Sequence, residues 1–187
     1  MVEPLGNLGR GRLRRRGRWQ QYDTSRRAAA SAAYSAALAQ IAQDRPAAIK
    51  ALETQAQGAP EPYRALAALV VAQLREPVEA ELAALATTAA TLSPAELADL
   101  ARVIAGYRSI DTAKAEETVA ALEPLAGPDR PFRLSVRELQ GMLALRKGDL
   151  KKARELWTEI SKDPQVPQAA AQRATAMLNL HAASEAK

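Results

Sequence analysis

The chain is 187 residues long, 48% hydrophobic but only 4% aromatic, with a formal charge of +5. Without cysteine it has neither a disulfide framework nor thiolate chemistry. No apolar run of about 18 residues occurs and no hydrophobic signal core opens the sequence, so the chain as written is expected to be soluble.

The basicity is local. Residues 1–27 hold eight arginines (Arg10, Arg12, Arg14, Arg15, Arg16, Arg18, Arg26 and Arg27) against Glu3 and Asp23, so the remainder is close to neutral. Residues 1–22 are rich in Gly and Arg without an apolar period, which predicts a disordered tail ahead of a helical domain over 23–187. Forty-three alanines, with almost no strand-like alternation, predict an all-α chain.

A first helix is predicted from Thr24 or Ser25, either of which can cap it, to about Gln43. Pro46 stands in the first turn of a second, where its missing N–H costs nothing, and that helix ends near Gly58. The Ala-Pro-Glu-Pro stretch at 59–62 sets up a third helix, and Pro77 opens a fourth. Ser93, Pro94 and Glu96 form a capping signature for a fifth that reaches about Ser109. Asp111 or Thr112 caps a sixth, ending before the Gly-Pro-Asp-Arg-Pro breaker at 127–131. A seventh helix then runs to about Lys147, Gly148 and Asp149 turn the chain into an eighth ending near Lys162, and a last helix after Pro167 reaches about Ala182.

These elements carry a 35-residue period. Aligned from Ala29, Arg64, Asp99 and Leu134, the eighth positions read Ala36, Val71, Gly106 and Gly141. The twentieth read Ala48, Ala83, Thr118 and Ala153, and the twenty-fourth read Leu52, Thr87, Leu122 and Trp157. Small residues recur where two helices must approach closely, and mostly larger apolar ones recur a turn later. A period of this length predicts stacked helical hairpins, each too thin to bury its apolar face alone.

The fourth unit is the best preserved. Gly141, Ala153, Trp157 and Pro164 stand where tetratricopeptide repeats place a glycine, an alanine, an aromatic and a terminal proline. The run from Pro131-Phe132-Arg133 through Arg137-Glu138-Leu139 to the Gly-Asp turn resembles the tetratricopeptide-repeat-like domain of bacterial proteins related to the ancillary subunit of the SecYEG translocon. The resemblance spans about residues 19–182, with 131–180 carrying most of it. It implies a right-handed solenoid of about four hairpins plus a capping helix, in a membrane-anchored envelope protein that assists secreted proteins. The expected partners are then other proteins, translocon subunits or envelope chaperones, with no small-molecule substrate and no cofactor. The chain departs from the pattern before Trp19-Gln20-Gln21-Tyr22, where an anchor helix would stand and Gly/Arg-rich sequence stands instead. Either this member is soluble and cytoplasmic, or the segment reflects a different start or reading frame and the chain belongs to the inner membrane's periplasmic face.

In such repeats the first helices line the inner groove through positions 2, 5, 9, 12 and 13. Carried onto this chain, the candidate groove is Leu100, Val103, Tyr107, Glu138, Met142, Leu145 and Arg146, preceded by the smaller Ala30, Ala33, Ala65 and Ala68. The packing residues are Gly106, Leu122, Gly141, Ala153 and Trp157, with Gly141 expected to face Ala153. Tyr107 and Met142 are expected side by side on the inner face, outside the core.

Sharper chemistry has little support. The only histidine, His181, lies near the end of the last helix, where a cation suits the dipole, and no ligand set surrounds it. Glu79 with Glu81, and Glu116 with Glu117, sit one or two residues apart on helices and do not face one spot. There is no phosphate loop, glycine fingerprint or nucleophile elbow. The chain is therefore read as a non-enzymatic interaction scaffold. The competing reading is a cytoplasmic adaptor whose basic tail tethers it to an anionic surface, membrane or nucleic acid.

Overall fold

Alanine-rich sequence punctuated by proline becomes helix nearly everywhere in the computed structural model, which describes the backbone of residues 8–182 and the side chains of 21–181. Among these the helices are α1 (Leu8–Gln40), α2 (Arg45–Gly58), α3 (Tyr63–Gln73), α4 (Val78–Ala89), α5 (Ala95–Ser109), α6 (Ala115–Ala120), α7 (Arg133–Arg146), α8 (Leu150–Lys162) and α9 (Gln168–Ala182). A 3-10 turn at Glu123–Leu125 follows α6, and no strand occurs among the described residues.

Two compact units divide between Leu74 and Arg75. In the first, α2 packs against both α1 and α3. Ala37, Leu52 and Ala67 form its buried centre, with Tyr34, Ile41, Val70 and Val71 around them. Asp44 caps α2, its Oδ1 accepting from Ala47 N at 3.0 Å, with Pro46 in the first turn as the sequence predicts. Arg45 Nη2 donates to Leu74 O at 2.8 Å and so satisfies a carbonyl at the end of α3.

In the second unit the principal pairs are α4 with α5, α7 with α8, and α8 with α9, while α6 bridges α5 and α7. One core cluster joins Val103, Ile110, Val119, Leu122, Leu125, Val136 and Leu139. A second joins Ala144, Ala153, Trp157, Ile160 and Ala174. Gly148 adopts φ +79°, the left-handed conformation that glycine supplies without steric cost, and Asp149 Oδ1 then accepts from Lys152 N at 2.9 Å to cap α8.

Several expectations need correction. Of the predicted tail over 1–22, the backbone from Leu8 onward is helical and continuous with the rest of α1, with no proline between Leu8 and Gln40 to break it; residues 1–7 lie outside those described. The division at 22/23 falls inside this helix. The expected second hairpin, α3 with α4, is split between the two units. Its register fails as well: Thr87, the residue at the packing position, is exposed and donates its hydroxyl to Ala83 O, while Glu81, Leu82, Leu85 and Ala89 face inward. At the same position Leu52, Leu122 and Trp157 are buried. The sixth helix is only six residues long. Pro124 accounts for this, since it lacks an N–H and its ring would meet the carbonyl of Ala120 one turn back. Finally, no side chain caps α5, so Ser93 does not act as its N-cap.

Candidate interaction face

The candidate face is assembled in the second unit by α5, α7 and α9. Two glycines set the spacing. A Cβ on Gly106 would lie 2.8 Å from Leu139 Cδ1 and 2.9 Å from Leu122 Cδ1, so α5 meets α7 with no room for a side chain. A Cβ on Gly141 would lie 2.9 Å from Trp157 Nε1. Gly141 thus faces the second helix of its own hairpin as expected, but its nearest neighbour is Trp157 and not Ala153, one turn earlier. The indole N–H is buried with no acceptor among the described residues. Its ring stacks on His181 at 5.7 Å between centroids and 12° between planes. His181 is therefore part of the packing that holds α9, and Arg154 Nη2 donates to its carbonyl at 2.8 Å.

Close approach of α5 and α7 brings Tyr107 to Glu138. The phenol donates to Glu138 Oε2 at 2.9 Å, and Arg173 on α9 donates to the same carboxylate through Nε at 2.9 Å and Nη2 at 3.1 Å. A three-residue polar ladder thereby runs across α5, α7 and α9. Burial draws the Glu138 carboxyl upward, but the hydrogen bonds from Arg173 and Tyr107 outweigh it and hold the group below its ordinary range. Burial, reinforced by the Glu138 charge, pushes the Tyr107 phenol up, so it stays a donor at any physiological pH.

Of the seven groove residues, Tyr107 and Met142 are both partly buried against the Val103–Leu139 cluster. Each packs at the rim of the core, not outside it. Leu100 is half-buried. Leu145 packs on the Trp157 cluster. Val103 is a core residue at 4% exposure, because α5 is covered on that flank, and it cannot line a groove. Arg146 donates through Nη1 to the carbonyls of Ile110 and Thr112, closing the C-terminal end of α5. Of the early alanines, Ala30 and Ala65 are buried and Ala33 is exposed. Tyr107 and Glu138 are thus held in a structural network with Arg173, and Arg146 is held separately by the end of α5.

Arg173 was not among the sequence candidates. The signal that finds it is spacing: it follows Glu138 by one full repeat and carries the opposite charge. Other polar links of this unit have similar spans, such as Lys147 to Glu116 at 31 residues and Arg133 to Asp163 at 30. The last pair ties the start of α7 to the end of α8. Hydrogen bonds from Arg133 and from the Gln165 backbone hold the Asp163 carboxyl down at about 2.

Among the described residues no group of three or more His, Asp or Glu side chains could hold a metal ion, and no helix is long and apolar enough to cross a membrane. Comparison with protein-family models, with curated proteins and with solved structures finds no match to this chain.

Proposed function

We propose that this chain is a non-enzymatic protein-interaction scaffold whose partner face is carried by α5, α7 and α9. The observation that carries the reading is the Tyr107–Glu138–Arg173 ladder. It fixes side chains of three alternate helices, with the Met142 thioether half-buried on α7 and Leu100 half-buried two turns before Tyr107 on α5. Rigid amphipathic anchors with adaptable neighbours suit recognition of an extended or helical segment.

The finer form of the proposal is a tetratricopeptide-like right-handed array serving secretion at the cell envelope. Its support is the Gly141, Ala153, Trp157 and Pro164 constellation of the fourth unit, with its glycine–aspartate turn. Site-specific photocrosslinkers at Leu100 and Met142, in membranes of the native host, test both levels. Crosslinks to translocon subunits or envelope chaperones, absent from a control position such as the exposed Lys151 on α8, are the expected result. Equal labelling from control and face positions overturns the face, and labelling of unrelated soluble proteins alone overturns the envelope assignment.

A further inference from the structure

The first helix carries an unbalanced charge. Six arginines (Arg10, Arg12, Arg14, Arg15, Arg16 and Arg18) fall within nine positions of α1, and no acid stands between Glu3 and Asp23. None of the six therefore has an acidic residue three or four positions away to pair with along the helix. The first acid, Asp23, is taken by Arg27 at 3.1 Å. The packed part of the first unit begins later. Residues 21–29 are exposed, Ala30 is the first buried among the described side chains, and Arg26 Nη2 donates to Gly58 O at 3.4 Å. At about 1.5 Å of rise per residue, the arginine positions cover about 12 Å of helix and end about 12 Å before Arg26. Like charges this dense on little more than two turns repel one another, and a polyanion relieves them.

Their register is two-sided. With Leu13 as reference and about 100° per residue, Arg10, Arg14 and Arg18 stand at about +60°, +100° and +140° around the axis. Arg16, Arg12 and Arg15 stand at about −60°, −100° and −160°. Between the two rows Gly9, Leu13, Gly17 and Gln20 fall within about 40° of the reference, and none is charged. An uncharged ridge flanked by two basic rows matches a duplex groove, with base edges on its floor and a phosphate backbone along each rim. The helix must also fit. It is about 10–12 Å across and the major groove of B-form DNA is about 12 Å wide, whereas that of A-form RNA is deep and narrow. A bilayer matches less well: Leu8, Trp19 and Tyr22 stand about 120° or more from Leu13, with Arg15 among them, so no continuous apolar face enters the headgroup region.

We infer that the arginine-bearing stretch of α1 binds double-stranded DNA in its major groove, one arginine row to each phosphate backbone, largely without regard to base sequence. The stretch belongs to the first unit, so the inference is independent of the interaction face. Fluorescence anisotropy of the full chain with a labelled mixed-sequence duplex of about two helical turns tests it. With six phosphates engaged, log affinity should fall against log salt with a slope of about −5, a roughly thousandfold loss from about 50 to about 200 mM. The triple variants R10Q/R14Q/R18Q and R12Q/R15Q/R16Q should each lower that slope by about half. Gly17→Glu, on the ridge, should weaken binding about tenfold, while Gly11→Glu, about 160° from Leu13, adds the same charge and should weaken it no more than about threefold. All four variants should keep the thermal midpoint of the parent, since they precede the first buried residue. A slope shallower than about −2, one row carrying the whole effect, or equal losses from the two glutamates overturns the proposal. So does tighter binding to single-stranded DNA or to an RNA duplex of equal length. Failure of excess duplex to displace the chain from vesicles of about 30% phosphatidylserine also overturns it, and would assign the stretch to a membrane surface.

Discussion

Replacing Gly141 by alanine sets two known effects against each other. In an ordinary helix interior the change stabilises by roughly 0.5–1 kcal/mol, because alanine loses less backbone freedom on folding. Here the new Cβ would lie 2.9 Å from Trp157 Nε1 and 3.2 Å from Cε2. Carbon contacts settle near about 3.5–4 Å, so the ring must retreat by roughly half an ångström. It has nowhere to go: Trp157 is 1% exposed, its indole is rigid, and it is stacked on His181. Overpacking of this kind costs about 1–3 kcal/mol. The net expectation is a loss of about 1 kcal/mol, seen as a fall of roughly 3–6 °C in thermal midpoint. Circular dichroism melts supply the midpoint, and in a Trp19→Phe background tryptophan fluorescence reports Trp157 alone. Gly58→Ala is the control, since no atom lies within 4 Å of its added Cβ, and it should be neutral or slightly stabilising. A raised midpoint for Gly141→Ala, matching the control, would mean that Gly141 and Trp157 are not in contact and that the α7–α8 register is wrong.

Three further outcomes are expected. Hydrogen bonds from Arg133 and the Gln165 backbone hold the folded Asp163 carboxyl at about 2, below the ordinary aspartate range, so its contribution is complete above about pH 4 and drains away as pH falls toward 2. Asp163→Asn should therefore flatten the midpoint-against-pH curve across that window, and parallel curves would refute the coupling. In the turn before α8, Gly148→Ala should cost about 1–2 kcal/mol for its left-handed backbone and Asp149→Ala about 0.5–2 kcal/mol for the lost cap, measured by urea unfolding. Arg108→Ala strands the Glu81 carboxylate, 3% exposed and bound to Arg108 Nε at 2.8 Å. With the guanidinium half in water the cost should be about 1–3 kcal/mol, less than for a fully buried pair, and Glu81→Leu in the same chain should recover most of it. A neutral Arg108→Ala would show that the pair contributes nothing.

Helix positions were legible because proline and capping residues act locally. Pro46, Pro77, Pro94, the Gly148-Asp149 turn and Pro167 each open or join a helix within a residue or two of the expected place. Pro124 was equally visible, and its effect on α6 follows from the same ring and missing N–H, but the later Gly127 breaker drew the predicted end past it. The start of α1 was hidden by composition, since glycine and arginine without an apolar period argue for disorder, yet nothing there forbids a helix. Pairing is the level at which the reading failed. Propensity and period cannot tell whether α3 packs back on α2 or forward on α4, because alanine faces serve either neighbour. The site fared likewise: Tyr107 and Met142 pack at the rim of the core, whereas Val103 and Arg146 occupy groove positions in the repeat but are claimed by the core and by the end of α5.

The four consecutive residues Ala105 to Arg108 explain why the repeat survives in some units and fades in another. At about 100° per residue they sweep once around α5. Ala105 is buried on the side of α4 and α6, Gly106 meets Leu139 and Leu122, Tyr107 reaches Glu138 on α7, and Arg108 returns to Glu81 on α4. A helix with neighbours on every side must be thin where they converge, which is why Gly106, Ala101 and Ala105 are buried on it. Gly141 meets the same demand on α7 against Trp157. Ala36 and Val71 hold the equivalent position in the first unit, where one is exposed and the other half-buried, so no close approach selects for glycine there. The period is thus strongest where a helix is enclosed. It also follows that Glu81 and the polar ladder take different flanks of α5: Tyr107 and Arg108 are neighbours in sequence but about 100° apart around the axis, so one turns to α7 and the other to α4.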